Sequence, residues 1–183
     1  MLLGKKASAT ISLLAVSATL TACGGSSSSG TSPQAYVKAI CNAVGPFERD
    51  VQARSAALNL SSIKSAEQGK TALQGFLTAV ASDTDQAVTK LKSAGTPTVT
   101  NGKQIQTAIV SAFSQLRSTL EQAASSAGGL PTSSPAAFKL AAQALGKSVQ
   151  TSMSSIGGSL GGLKNAELEN AAKKEPACQS LGA

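Results

Sequence analysis

Three cysteines, Cys23, Cys41 and Cys178, are the residues of this 183-residue chain best suited to covalent chemistry. A thiol can be acylated, can pair with a second thiol, or can act as a nucleophile when its surroundings lower its pKa. The chain contains no histidine, which removes the commonest general base and the usual catalytic partner of a cysteine. Acylation and disulfide formation are therefore the two reactions that the sequence favours.

The segment before Cys23 has the layout of an export signal. Lys5 and Lys6 give it a basic start, and residues 7–22 are uncharged with an apolar centre, which is typical of a secretory leader. Residues 7–22 are also fewer than the roughly 20 residues that a helix needs to span a bilayer. We therefore predict a signal peptide at residues 1–22 and a secreted chain.

Cys23 follows this leader in the stretch Leu20-Thr21-Ala22-Cys23. The stretch resembles the bacterial lipoprotein box, in which a leucine and two small residues precede the modified cysteine. The resemblance implies that Cys23 becomes the mature N-terminus and carries acyl chains such as palmitate. Two acyl groups attach a protein stably to a membrane, whereas one acyl group does so only marginally. Residues 23–32, rich in glycine and serine, are then a flexible tether; with Cys23 unmodified they are a terminus without that role.

Four amphipathic segments predict an all-α domain over residues 33–183. Apolar residues recur every three or four positions in each segment, and no alternating strand pattern of useful length appears. Ser-Pro pairs at 32–33 and 134–135 mark two helix starts, and Pro46 should kink or break the first helix. Short connections favour an antiparallel up-down-up-down four-helix bundle. The first three predicted helices cover about 33–58, 61–94 and 100–128. The fourth begins at 134–135, carries its apolar stripe to Ile156 and is predicted to end shortly before Cys178.

The two later cysteines are predicted to form a disulfide. Cys41 and Cys178 are an even number of thiols in an exported chain, and exported compartments favour oxidation. Cys41 lies early in the first predicted helix and Cys178 just beyond the end of the fourth. An antiparallel bundle with an even number of helices brings these two points to the same end, within reach of a bond. Two buried free thiols are the alternative.

The stretch from Ile156 to Leu163 contains four glycines, at 157, 158, 161 and 162. Each glycine costs a helix in water roughly 0.8–1 kcal/mol relative to alanine, so Gly157–Gly162 is interpreted as a joint or a break. Glycines four positions apart also allow a second helix to approach the backbone closely. A contact groove for a helix or a ligand is therefore the other interpretation.

Composition argues against several classes of function. The formal net charge is +7, but the basic residues are scattered and not interleaved with aromatic residues, so we expect no nucleic-acid binding. Asp83 and Asp85 should diverge on a helix and make a poor metal pair. The Gly-Lys-Thr at 69–71 lacks the earlier glycine and the strand of a phosphate-binding loop. We predict no catalytic residue, no cofactor and no metal site, hence no enzyme.

The mature pattern as a whole resembles one family. The lipoprotein box, the serine tether, the alanine-rich helices, "YVKAIC" and the terminal "EPACQSL" are similar to small secreted lipoproteins of actinobacteria, Streptomyces-like in character. The resemblance implies a lipid-anchored address on the extracytoplasmic face of the cell membrane. We expect an interaction or scaffold module that binds a protein partner through a helical face or through Gly157–Gly162. A binding module for a small apolar or lipidic ligand between helices is the alternative.

Overall fold

The computed structural model describes residues 30–58, 63–160, 163–179 and 181. This part of the chain is helical, which confirms the all-α prediction, and its only extended pairing is an isolated bridge between Thr31 and Pro97. Four long helices are followed by two short ones. They are α1 (Pro33–Ala57), α2 (Ala66–Ser93), α3 (Gly102–Gly128), α4 (Pro135–Leu160), α5 (Ala166–Lys174) and α6 (Pro176–Gln179).

Serine side chains begin three of the long helices. Ser32 and Ser134 accept hydrogen bonds from the backbone N–H groups three residues ahead of them, as the Ser-Pro pairs predict. Ser65 does the same for α2, so that helix begins later than the predicted residue 61. Pro46 lies inside α1 and the helix continues through it without a break.

The short helices α5 and α6 correct the prediction of four helices. The Asn165 side chain caps α5 by accepting hydrogen bonds from the N–H groups of Glu167 and Leu168, 3.1 Å each. Acidic residues lie in its first turn and lysines in its last turn, where each sign favours the helix dipole. Glu175 breaks the helix before Pro176, which starts α6.

The main core forms where α2 and α3 pack together. Four of its seven buried residues are alanines, which lets the two helices pack closely. The buried residues are Leu77, Val80, Ala81, Leu120, Ala123, Ala124 and Ala127. Helix α1 packs on α2, and α4 packs mainly on α3. Phe47 of α1 reaches Phe113 of α3 edge to face, with ring centroids 6.0 Å apart, a favourable aromatic geometry.

A second, smaller apolar cluster joins α1 to the chain's last residues. Val37, Cys41 and Ala171 are buried in it, and Leu168, Ala172, Ala177 and Leu181 pack around them. We call α5, α6 and Leu181 the C-terminal clamp. Helix α1 therefore lies between α2 on one side and the C-terminal clamp on the other.

The long helices define two ends of the molecule. The Thr31 end comprises Thr31, the α2–α3 loop (94–101) and residues 163–165, where the Asn165 amide approaches the Thr100 carbonyl oxygen at 3.4 Å. The far end comprises the close of α1, the start of α2 and the α3–α4 connection. There a Cβ on Gly69 would lie 2.6 Å from the Phe138 ring, so this glycine allows α4 to lie against α2.

Candidate functional site

Thr31 is fixed to the α2–α3 loop by a set of hydrogen bonds. Its N–H donates to the Thr96 carbonyl at 2.7 Å, and its own carbonyl accepts from the Thr98 N–H at 2.9 Å. The Thr31 hydroxyl donates to the Ala94 carbonyl at 2.8 Å. These bonds attach the chain to the α2–α3 loop two residues before α1 begins.

Two glycines allow this close approach. Gly95 has a φ of 75°, a backbone conformation that glycine adopts readily and most residues do not. A Cβ on Gly95 would lie 2.7 Å from the Thr31 hydroxyl oxygen, and one on Gly30 would lie 2.6 Å from the Thr98 methyl group. Neither contact leaves room for a side chain, so the docking of Thr31 depends on both glycines.

The predicted cysteine pair lies near this end. Cys41 and Cys178 are at disulfide-bonding distance, with their Cα atoms 5.1 Å apart, within the range that a disulfide requires. Cys178 belongs to α6, and Cys41 is buried beside Val37 and Ala171. The pair therefore attaches the C-terminal clamp to the third turn of α1.

Tyr36 anchors a polar network between α1, α3 and α2. Its hydroxyl donates to Gln106 Oε1 at 2.7 Å, and Gln106 Nε2 donates to the Leu91 carbonyl at 2.9 Å. Tyr36 is only 1% exposed, and burial raises the pKa of its hydroxyl to about 12 because the phenolate is poorly solvated there. Tyr36 and Gln106 therefore connect α1, α3 and α2 through one chain of hydrogen bonds.

Gly157 and Gly158 lie within α4, which continues through them and ends at Leu160. A Cβ on either glycine would meet nothing within 4 Å, so no described part of the chain packs against them. Gly161 and Gly162 lie outside the described residues. The helix thus passes through the first glycine pair, which stays open to solvent.

Asp83 and Asp85 point toward different helices, as their spacing predicts. The Arg54 Nε of α1 lies 2.7 Å from Asp83 Oδ2, and a terminal guanidinium nitrogen of Arg117 lies 2.6 Å from Asp85 Oδ1. Arg117 also reaches Glu121 at 3.1 Å. Asp83 and Asp85 thus link α2 to α1 and to α3 through ion pairs with exposed arginines. The described residues contain no group of three or more histidine, cysteine, aspartate or glutamate side chains able to hold a metal.

An open groove of about 590 Å³ runs between α3 and α4. Hydroxyl and amide side chains line most of it, among them Ser111, Gln115, Ser118, Thr151 and Ser155. No charged or aromatic side chain lines it, so it offers hydrogen bonds without a general base or a stacking surface. A smaller groove of about 300 Å³ between α1 and α2 is more apolar and is lined by residues such as Leu58, Ala72 and Phe76.

The structure brings some of the predicted site residues together and leaves others apart. Cys41 and Cys178 meet, whereas the leader 1–22 and the lipidation site Cys23 lie outside the described residues. Within the described chain, no helix has the length and apolar character needed to cross a membrane. Sequence reasoning missed the docking of Thr31, for which the glycine and proline at 95 and 97 are the local signal of a tight connection.

Comparison with known proteins adds no relative: no family model, no curated protein and no solved structure matches the chain. The resemblance to actinobacterial lipoproteins therefore stays a prediction. What the protein does has to be inferred from Thr31, from the cysteine pair and from the surface of α4.

Proposed function

We propose that this protein is a lipid-anchored module on the extracytoplasmic face of the cell membrane, where it acts as an interaction or scaffold protein. In this proposal Cys23 carries the lipid and Cys41–Cys178 is a disulfide. The observation that carries the proposal is the docking of Thr31, shortly after Cys23 in the chain. The chain between Cys23 and Gly30 can span at most about 25 Å even when extended, so the lipid would hold the domain by its Thr31 end.

The proposed partner-binding surface is the outer face of α4. None of the described side chains of α4 is buried, although its inner face packs on α3. Leu140, on this face, is 72% exposed. Burying such a side chain against a partner would be favourable because it removes apolar area from water, which supports a protein partner.

The grooves give less support to the alternative, a module for an apolar or lipidic ligand. Pockets that take small ligands are mostly apolar and bury most of the ligand. The larger groove described above is open and lined by hydroxyl groups. A hydroxyl-lined surface favours a polar contact, so we propose the interaction module as the function.

We further propose that the four long helices form an up-down-up-down bundle. The contacts of α1 with α2, α2 with α3 and α3 with α4 support this order, as do the short connections between them. The two short helices then cover α1 on the side opposite α2.

Cell fractionation of a Cys23→Ala variant tests the anchor. We expect the variant to move from the membrane fraction to the medium, and mass spectrometry to find acyl chains on the N-terminal peptide of the parent protein only. A Cys41→Ala, Cys178→Ala double variant is the matched control, because it removes two cysteines and keeps Cys23. If the Cys23→Ala variant stayed in the membrane fraction to the same extent as the parent protein, the proposal would be contradicted.

Site-specific photocrosslinking in the native cell tests the partner surface. A photoreactive residue at Leu140 should give a discrete crosslinked product, and the same residue at the exposed Gln52 of α1 is the control. Equal labelling from both positions would contradict α4 as the binding face, because it would report random encounters.

A further inference from the structure

Lysines without ion-pair partners gather at one end of the molecule. Lys90 and Lys92 lie in the last turn of α2, and Lys103 lies in the first turn of α3. Lys164 lies beside Asn165, which contacts the Thr100 carbonyl. These helix termini meet at the α2–α3 loop, so the four lysines belong to the end of the molecule at which Thr31 docks.

Three further lysines extend this cationic surface along α1 and α5. Lys38 lies in the second turn of α1, and Lys173 and Lys174 close α5. Lys174 lines a shallow groove with Pro33 and Gln34 at the start of α1, which places the end of α5 beside the Thr31 end. All seven lysines are exposed, and none forms an ion pair with another described residue.

The carboxylates near this end do not balance the lysines. Three of them, Glu167, Glu169 and Glu175, lie on α5 or at its C-cap. In the rest of the described domain, seven basic residues face six carboxylates, and Arg54 and Arg117 are paired with carboxylates there. The positive charge of the domain is therefore concentrated at the Thr31 end.

We propose that the Thr31 end is a docking surface for anionic lipid headgroups. This inference rests on the proposed lipid anchor at Cys23 and adds an orientation to it. Lysines attract an anionic membrane surface within about one Debye length, ~8–10 Å at physiological salt. The short link to Cys23 brings this end toward the membrane, and the lysines hold it there. The helix axes then stand away from the surface, with the far end outermost.

The test uses the full chain carrying Cys23→Ala, so that binding to vesicles does not depend on a lipid anchor. Vesicles of phosphatidylcholine are compared with vesicles containing phosphatidylglycerol. One variant replaces Lys90, Lys92, Lys103 and Lys164 with glutamine. The matched control replaces four exposed basic residues elsewhere, Arg49, Lys64, Lys139 and Lys147, and so removes the same charge. The leader is common to both variants and its contribution cancels.

We expect preferential, salt-sensitive binding to the phosphatidylglycerol vesicles. Each lysine near the surface contributes roughly fivefold to the affinity, so the Thr31-end variant, which lacks four of them, should bind about 600-fold more weakly, and the control less than about tenfold. Circular dichroism establishes that both variants are folded. Equal losses in the two variants would overturn the proposal, since they would reflect net charge alone. Binding to soluble poly(glycerol phosphate) without binding to vesicles would also overturn it, in favour of a wall polymer.

This experiment and the fractionation of Cys23→Ala can fail separately. Salt-sensitive vesicle binding that depends on the four lysines supports the cationic surface even if Cys23 carries no lipid. Loss of membrane attachment in the Cys23→Ala cells, with no vesicle binding by the purified chain, would keep the anchor and remove the cationic docking surface.

Discussion

The two ends of the bundle are held together by different kinds of contact. At the Thr31 end, residues far apart in the chain are joined by backbone hydrogen bonds and by the Cys41–Cys178 pair. At the far end, the close contacts are between side chains and helix backbones, such as the Phe138 ring on Gly69. Backbone contacts tolerate little displacement, whereas a ring can turn, so the Thr31 end should be the less adaptable of the two.

Removal of both cysteines should have the largest effect on this difference. The double variant Cys41→Ala, Cys178→Ala frees the C-terminal clamp from α1, and the loss of a disulfide that closes so long a loop costs about 2–5 kcal/mol in the free energy of unfolding. Urea unfolding measures it. Non-reducing peptide mapping of the parent protein should recover the linked peptide, and two alkylatable thiols in oxidised protein would contradict the disulfide.

Alanine at two buried glycines compares the ends directly. A Cβ on Gly102 would overlap the Pro97 carbonyl oxygen, so Gly102→Ala must move backbone and should cost about 1–3 kcal/mol, as overpacking does. A Cβ on Gly69 would meet the far end of the Phe138 ring and, at 3.4 Å, a methyl group of Ile63. Gly69→Ala should cost less, since these side chains can shift and alanine favours the helix.

Gly75→Ala gives the reference for both glycine variants. This helical position has nothing within 4 Å of an added Cβ, so the substitution should raise the free energy of unfolding by about 0.5–1 kcal/mol. In thermal or urea unfolding, the midpoint should be highest for Gly75→Ala, lower for Gly69→Ala and lowest for Gly102→Ala. A Gly102→Ala protein as stable as Gly75→Ala would remove the distinction between the ends.

Tyr36→Phe should have a smaller effect than loss of the cysteine pair and reports on the polar network. The substitution keeps the ring and removes the hydrogen bond to Gln106, at a cost of about 0.5–1.5 kcal/mol. Urea unfolding at neutral pH measures this loss, and an unchanged midpoint would show that the network contributes nothing to stability.

The same variant reports on the buried hydroxyl at high pH. The folded protein holds the Tyr36 proton up to a pKa of about 12, against an ordinary value of 10.0. The contribution of the Tyr36 proton to the free energy of unfolding is therefore fully present below pH 10. It is lost as the pH rises toward 12, because the tyrosine of the unfolded chain ionises first. The Tyr36→Phe protein should lack this loss of stability between pH 10 and 12, whereas the lysines affect both proteins equally. If the free energies of unfolding of the two proteins changed in parallel with pH, the raised pKa of Tyr36 would be contradicted.

Local signals made the long helices predictable. The Ser-Pro pairs at 32–33 and 134–135 mark helix starts that the structure confirms. Cys41 and Cys178 were matched because two thiols in a chain predicted to be exported favour one pairing. A short stretch of sequence was enough to predict each of these helix starts, and two residues of one reactive type were enough to predict the cysteine pairing.

Contacts between distant residues were not predictable in the same way. Nothing beside Gly69 indicates that Phe138 will pack on it, and nothing beside Thr31 indicates that Thr96 and Thr98 will pair with it. Helix α5 was missed for another reason, because its glycine-rich approach obscured the Asn165 cap and the charges that complement its dipole. The gathering of lysines at one end likewise appears only when the helix termini are brought together.

The docking of Thr31 also determines how the domain would respond to a mechanical pull. A force applied to the chain before Gly30 reaches the hydrogen bonds to Thr96 and Thr98 before it reaches α1. Part of the load therefore passes sideways into the α2–α3 loop, and unravelling of α1 from its first turn is delayed. With Cys41 bonded to Cys178, extension of the chain beyond residue 41 also has to separate the C-terminal clamp from α1.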